Sequence, residues 1–337
     1  MSFLRFVAPD LAIDLGTSNI LVYEAKKGIV VNEPSVVAID IKTGDVVAFG
    51  KEAYEMIGKT PENIIVVKPL ENGVVSDFDL TRILLSHYIN LAVPGISLMQ
   101  PRIVVTAPSG ISDVEKRAIE DACIHSGVRE VYIVEGSLAA AIGAGLPVDR
   151  PEGYMIVNMG AGTTEAAIVS LNGIVASKTL NYGGDYLNKK IIEFIRDKYS
   201  VVIGDLTAEE LKLSMGSLEV AKKNKSISVS GREVASGMPI TIDVYASDIQ
   251  EAIIDQVGDI VDIIRYILEK NPPELSSDIM RNGVYITGGG SLLDGIASVI
   301  DYNLNIDVYH SENPFTDTVK GVGHIVENLD KYKNIRK

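Results

Sequence analysis

The sequence predicts an α/β protein of two duplicated lobes, each a mixed sheet with helices on both faces. Three observations carry this. Short apolar runs alternate with helical periods along the chain, the pattern of sheets layered with helices. A strand–glycine turn–strand unit at residues 11–23 recurs at residues 155–170, near half of the 337-residue chain later. Repetition at that spacing means duplication, since solenoid repeats run ~20–50 residues. No low-complexity linker separates the halves, so ordered segments join them.

Taken in order, residues 11–14 and 20–23 are apolar runs around Gly16-Thr17-Ser18-Asn19, which reads as strand, turn, strand. Residues 29–31 and 36–39 continue the β-rich start, and 103–106 reads as a buried strand. Pro108-Ser109-Gly110 then turns the chain, and Ser112-x-x-Glu115 forms a capping box. The helix it opens carries Val114, Ala118, Ala122 and Cys123 on one face and stops at Gly127. In the second half, Met155-Ile156-Val157 enters Asn158-Met159-Gly160-Ala161-Gly162-Thr163-Thr164 and returns through 166–169. From 248 to 270, Ile249, Ile253, Val257, Ile260, Ile264 and Ile267 recur at helical steps until Pro272-Pro273. A strand at 284–286 runs into Thr287-Gly288-Gly289-Gly290-Ser291. Residues 139–145 and 320–323 are small-residue stretches suited to hinges.

Composition narrows the function classes. The chain is 46% hydrophobic and 23% charged, which excludes disorder and collagen-like repeats. It is long enough to bury a large core without disulfides. Cys123 is the only cysteine, so neither an intrachain disulfide nor a Cys-rich zinc site can form, and a reducing compartment is expected. With 31 Lys and Arg against 45 Asp and Glu, the net charge of −14 argues against sequence-independent nucleic-acid binding. No run approaches the ~18–20 apolar residues needed to span a bilayer. The first residues lack the apolar core of a signal peptide, so a cytoplasmic protein is expected.

The three glycine clusters carry the chemistry. Tight turns whose amides point inward make anion cradles, and glycine lets the backbone approach a phosphate closely. Two facing turns can clamp a polyphosphate from both sides, and a carboxylate at their mouth would serve a phosphate-bound Mg²⁺, which keeps most of its waters. A nucleotide whose phosphates carry Mg²⁺ is therefore the expected ligand.

At this point a resemblance becomes specific. Residues 11–17 (LAIDLGT), 32–38 (NEPSVVA), 58–61 (GKTP), 73–78 (GVVSDF), 139–147 (AAAIGAGLP), 183–185 (GGD), 270–275 (KNPPEL) and 287–293 (TGGGSLL) resemble the MreB family of bacterial actins, within the actin–sugar kinase–heat-shock ATPase superfamily. The likeness is collinear over roughly residues 9–325. It implies an actin-like fold of four subdomains, with ATP or ADP and Mg²⁺ in the cleft between the lobes. IA would take 1–32, 66–145 and 315–337, and IB 33–65. IIA would take 146–180 and 243–314, and IIB 181–242. It also implies filaments, as protofilaments paired antiparallel, organising cell shape beneath the membrane, or shape change and motility where a wall is lacking. By residue, it puts the phosphates at Gly16, Thr17, Ser18 and Asn19 and at Gly160, Ala161, Gly162 and Thr163. It puts the adenosine near Gly184, Asp185, Glu209, Glu210 and Lys212, with Gly288, Gly289, Gly290 and Ser291 along adenine and ribose. Asp14 would face the metal's water shell.

The chain departs from the family where the phosphate is split. Asn158 stands where the second turn begins with Asp, and Gly136 stands where a Glu orients the attacking water. Ala161 replaces a middle glycine. Loss of a water-orienting group typically costs ~10²–10⁴ in rate, so slow or absent hydrolysis is expected, with Thr163, Gly136 and Asn158 as the catalytic positions. The other reading is ordinary turnover, with Glu135, Asp14 or Thr163 compensating.

Two apolar segments, Phe3, Leu4, Phe6 and Val7 near the N-terminus and Ile96, Leu98 and Met99 in a loop, are candidates for peripheral membrane contact or for ordinary packing. Lys222-Lys223-Asn224-Lys225 reads as a solvated turn, the four histidines lack metal-ligand spacing, and Cys123 reads as a buried thiol. Two other functions of the superfamily compete. A small-molecule kinase would need a substrate-deprotonating Asp and a sugar-binding insertion, and a chaperone would need a peptide-binding domain after the ATPase body.

Overall fold

Two five-stranded sheets of the same plan form the centre of the computed structural model, which describes residues 5–94, 97–219 and 225–332 (backbone only at 5–7 and 97–98). In the first lobe the order is Glu130–Glu135, Arg102–Ala107, Leu11–Leu15, Asn19–Glu24, Gly28–Pro34. In the second it is Val308–His310, Val284–Thr287, Tyr154–Met159, Thr164–Ser170, Gly173–Leu180. Each is an antiparallel meander of three strands flanked by two parallel strands. The duplication read from the glycine turns is thus the topology of the sheets, and Asp14 and Asn158 occupy matching places at the ends of matching strands.

Register supplies neighbours that spacing alone does not. Ile103 pairs with Leu11 and Val105 with Ile13 in parallel, so Thr106 comes beside Asp14. In the second lobe Asn158 pairs with Thr287 on one side and with Glu165 across the hairpin on the other.

Smaller sheets extend each lobe. Val37–Asp40, Val46–Phe49 and Ile64–Val67 form one, with the helix Gly50–Glu55. Val201–Val202, Ser226–Glu233 and Pro239–Tyr245 form the other, beside the helices Gly184–Tyr199 and Asp205–Met215. The helix expected from 248 to 270 runs Ala246–Lys270, burying Ile249, Ile253, Val257, Ile264 and Ile267, and Pro273 opens the next helix, Pro273–Asn282. The capping box at Ser112 and Glu115 starts the helix Asp113–His125. Its buried face is Ile119, Ala122 and Cys123. Val114 is 77% exposed, because steps of four drift around a helix of 3.6 residues per turn and carry it off the face of Ile119, Ala122 and Cys123. Cys123 is buried, and burial pushes its thiol up to about 12.

Two short helices join the lobes. Gly136–Gly143 and Thr316-capped Asp317–Glu327 share one core with Ala12 and Val104 of the first sheet and Ile156 and Ala167 of the second. Their backbones touch. A Cβ on Gly143 would stand 1.8 Å from the Asp317 carbonyl oxygen, and one on Gly321 would stand 1.8 Å from that of Ala139. The small-residue stretches offered as hinges therefore lie in a helix–helix seam between the lobes. Gly321→Ala must push the helices apart, and overpacking of this kind costs ~1–3 kcal/mol. Urea unfolding of that variant should show a loss of about 2 kcal/mol, with unchanged slope.

Candidate functional site

A cavity of about 620 Å³ opens between the two sheets at the glycine turns, within the usual size of small-molecule sites. The first turn is closed by the Gly16 amide donating to the Asn19 carbonyl (3.2 Å), the second by the Gly160 amide donating to the Thr163 carbonyl (2.8 Å). The middle amides, of Thr17 and Ser18 and of Ala161 and Gly162, stay outside those closing bonds. Gly16 is obligatory, since a Cβ there would lie 2.6 Å from the Asn19 carbonyl oxygen. The turns meet each other: a Cβ on Gly162 would fall 2.2 Å from Thr17 Oγ1. Thr17 Oγ1 in turn accepts from the Gly73 amide at 2.9 Å.

Asp14 lies at the cavity floor. Thr106 Oγ1 donates to its Oδ1 at 2.8 Å and accepts from the Leu15 amide at 3.1 Å. Burial pushes the Asp14 carboxyl up to about 6; the Thr106 bond opposes this and the nearby Glu165 charge adds to it. Its folded pKa exceeds the unfolded 3.8, so this group's contribution to stability is lost as pH rises from about 4 to about 6. Asp14→Asn should therefore melt higher than the parent at pH 7 without ligand, and the two should converge near pH 4; a difference independent of pH would show that Asp14 is not so placed.

Asn158 reaches the same space. Its Oδ1 stands 2.8 Å, and its Nδ2 3.9 Å, from the points where a Cβ would sit on Gly288 and on Gly136 respectively. Gly288 has φ +81°, a left-handed conformation that glycine adopts without penalty. Gly136 is buried at the first position of its helix, and Glu135 precedes it. Burial pushes the Glu135 carboxyl up, with Lys116 opposing, but Glu135 is not among the cavity's lining residues. Of the three groups offered as compensation for Gly136, Asp14 and Thr163 line the cavity.

On the far wall, Lys212 Nζ donates to Glu209 Oε2 at 2.8 Å and to the Gly184 carbonyl at 2.9 Å. Burial raises the Glu209 carboxyl, yet Lys212 and an Asn188 bond at 2.6 Å outweigh it and hold it below the usual range. Asp185 pairs with Lys68 of the opposite lobe at 2.8 Å, across the cleft mouth. Ser18, Asn19, Ala161, Gly289 and Gly290 also line the cavity. Glu210 is exposed and outside the lining, since it lies on the outer side of its helix. Ser291 is buried and donates to the Gly288 carbonyl at 2.7 Å, which turns it into the protein.

The sequence reading missed Glu165. It is 3% exposed yet lines the cavity, and its Oε2 accepts from Ser137 Oγ at 2.7 Å and from the Ser109 amide at 3.1 Å. The signal was available: Glu165 is the one charged residue of the buried strand Thr164–Ser170, paired with Asn158 across the turn.

The donors at the floor are carboxylate, amide and hydroxyl oxygens, which suit Mg²⁺. Among the described residues no group of three or more His, Cys, Asp or Glu could hold an ion alone. The residues thus fit a metal that arrives with phosphates: Asp14, and Asn158 through its amide oxygen, would face its waters, and the ion would supply charge neutralisation.

The two membrane candidates come together. Arg5–Val7 pairs in parallel with Ser97–Met99, and the Ala8 amide donates to the Met99 carbonyl at 3.0 Å. Phe3, Leu4 and Ile96 lie outside the described residues, as do the side chains of Phe6, Val7 and Leu98; Met99 is 38% exposed. Lys222, Lys223 and Asn224 are outside as well. No helix of the described residues is long and apolar enough to cross a membrane.

Twin sheets of one topology, closing on a cleft through matched glycine turns, define an actin-like fold. The family model described as MreB/Mbl protein matches residues 8–334, and the chain belongs to that family. It is 42% identical over 325 residues to the cell shape-determining protein Mbl of Bacillus subtilis (strain 168), covering 96% of this chain and 97% of that one. It is 41% identical over 336 residues to the cell shape-determining protein MreB of Escherichia coli (strain K12), covering 98% and 96%. The crystal structure of MreB 5 of Spiroplasma citri bound to AMPPNP superposes with a TM-score of 0.90 at 32% identity, over 97% of this chain and 98% of that one.

Proposed function

We propose that this chain is an actin-like cytoskeletal protein that binds Mg·ATP in the interlobe cleft, polymerises, and hydrolyses the nucleotide slowly. The observation that carries the reading is the pair of glycine turns, closed alike and meeting at Thr17 and Gly162. AMPPNP bound to the Spiroplasma relative supports adenine nucleotide as the ligand, and the names of the curated relatives support a role in cell shape. Slow hydrolysis follows from the floor of the site, where Gly136 offers no side chain and Asn158 is neutral. Protofilaments, paired antiparallel, follow the family resemblance. Electron microscopy of the purified protein with Mg·ATP tests the assembly, and filaments are expected at micromolar protein. A field of monomers across salt and nucleotide conditions would overturn it.

The same reading places the filament against the inner surface of the cell membrane. Pairing of residues 5–7 with 97–99 joins the two apolar segments into one element, which supports this. Co-sedimentation with vesicles of mixed neutral and anionic lipid should fall severalfold on deleting residues 1–4. Unchanged sedimentation would remove the N-terminus from the contact.

A further inference from the structure

The space that Gly136 leaves is surrounded by polar atoms. The three nearest to where its Cβ would stand are the Ala107 carbonyl oxygen at 3.7 Å, Glu165 Oε1 at 3.7 Å and Asn158 Nδ2 at 3.9 Å. Two are acceptors and one is a donor. Two acceptors and one donor bounding one space are the set that a single water satisfies, by giving a proton to each acceptor and accepting from the amide, within the two to four partners a held water needs. The space belongs to the cavity between the glycine turns, so a water there shares it with the bound phosphates. Glu165 is not free to swing away, because Ser137 and the Ser109 amide anchor its other oxygen.

The geometry points to a water site in the void of Gly136, held by Ala107, Asn158 and Glu165, with Glu165 as the base for the residual hydrolysis of ATP. This rests on the nucleotide reading above and deepens it: turnover is slow because one carboxylate serves from the neighbouring strand. In the step, the water oxygen bonds to the γ-phosphorus and the bond from that phosphorus to the β–γ bridging oxygen breaks. Its electron pair leaves with ADP. The proton lost by water passes to the Glu165 carboxylate and from there to solvent.

Two substitutions and one structure test this. Gly136→Ala adds a methyl that meets its neighbours only at ordinary contact distance, so the fold tolerates it, but the methyl takes the water's place. Glu165→Gln keeps the shape and removes the base. Under single turnover with excess protein, both should release phosphate at least ~10-fold more slowly than the parent, in keeping with loss of a positioned base. Both should bind AMPPNP with Mg²⁺ within about twofold of the parent's affinity by calorimetry. A crystal structure with AMPPNP should show an ordered water touching the three named atoms. Parental rates in either folded variant, parental turnover no faster than spontaneous ATP hydrolysis, or a dry void would each overturn the assignment. Should Glu165→Gln fail to fold, Gly136→Ala decides. If the parent shows no nucleotide binding by calorimetry, the nucleotide reading itself fails, and that is distinguishable from binding without an effect of the two variants.

Discussion

Gly136→Glu combined with Asn158→Asp is expected to raise phosphate release by about 10²-fold, the rate that a water-orienting group typically supplies. There is room for it. A Cβ at residue 136 meets nothing closer than 3.7 Å, and position 136 opens a helix, where a carboxylate is favoured by the dipole. The cost appears without ligand. Asp14 and Glu165 are already pushed up by burial, so two further carboxylates at the cavity floor should lower the ligand-free melting temperature. Mg·ATP should recover part of that loss, because binding to the folded state alone stabilises it. A rate equal to the parent's would mean that the two departures do not limit turnover.

The second large effect concerns binding. Gly162→Val should abolish most nucleotide affinity, by ~10² or more, in keeping with the loss of one or two hydrogen bonds to a charged group at ~1.5–3 kcal/mol each. The valine would occupy the place of Thr17 Oγ1 and crowd the Asn72 Cα at 3.0 Å, so the two turns must separate. Circular dichroism should remain parental, since the site lies at a turn outside the hydrophobic clusters. Retained affinity would show that the two turns need not meet to hold phosphate.

How much of this was legible in the sequence depended on whether the information was local. The turns at Gly16 and Gly160 were legible because each is fixed within four residues by a closing bond that demands glycine or tolerates little else. Their recurrence at half the chain length gave the duplication, and through it the two sheets. The long helix at 246–270 was legible from its isoleucine period. What was not legible depended on partners far along the chain. Thr106 holds Asp14 across 92 residues through parallel register. The seam of Gly143 and Gly321 joins a helix from the middle of the sequence to one near its end, so glycines that read as hinges are points of closest contact. Val114 reads as one face with Ala118 and Ala122, but steps of four drift around the helix, and the packed face centres on Ile119 and Cys123. Glu165 is visible as a charge within its strand, but its place in the cavity depends on Ser109 and Ser137, 56 and 28 residues away.

The clamp of two glycine turns is the claim on which the rest depends, and calorimetric titration of Mg·ATP into the parent and into Gly162→Val tests it most directly. The parent should saturate at one nucleotide per chain while the variant gives little or no heat. Absence of binding to the parent, or equal binding to both, would contradict the account.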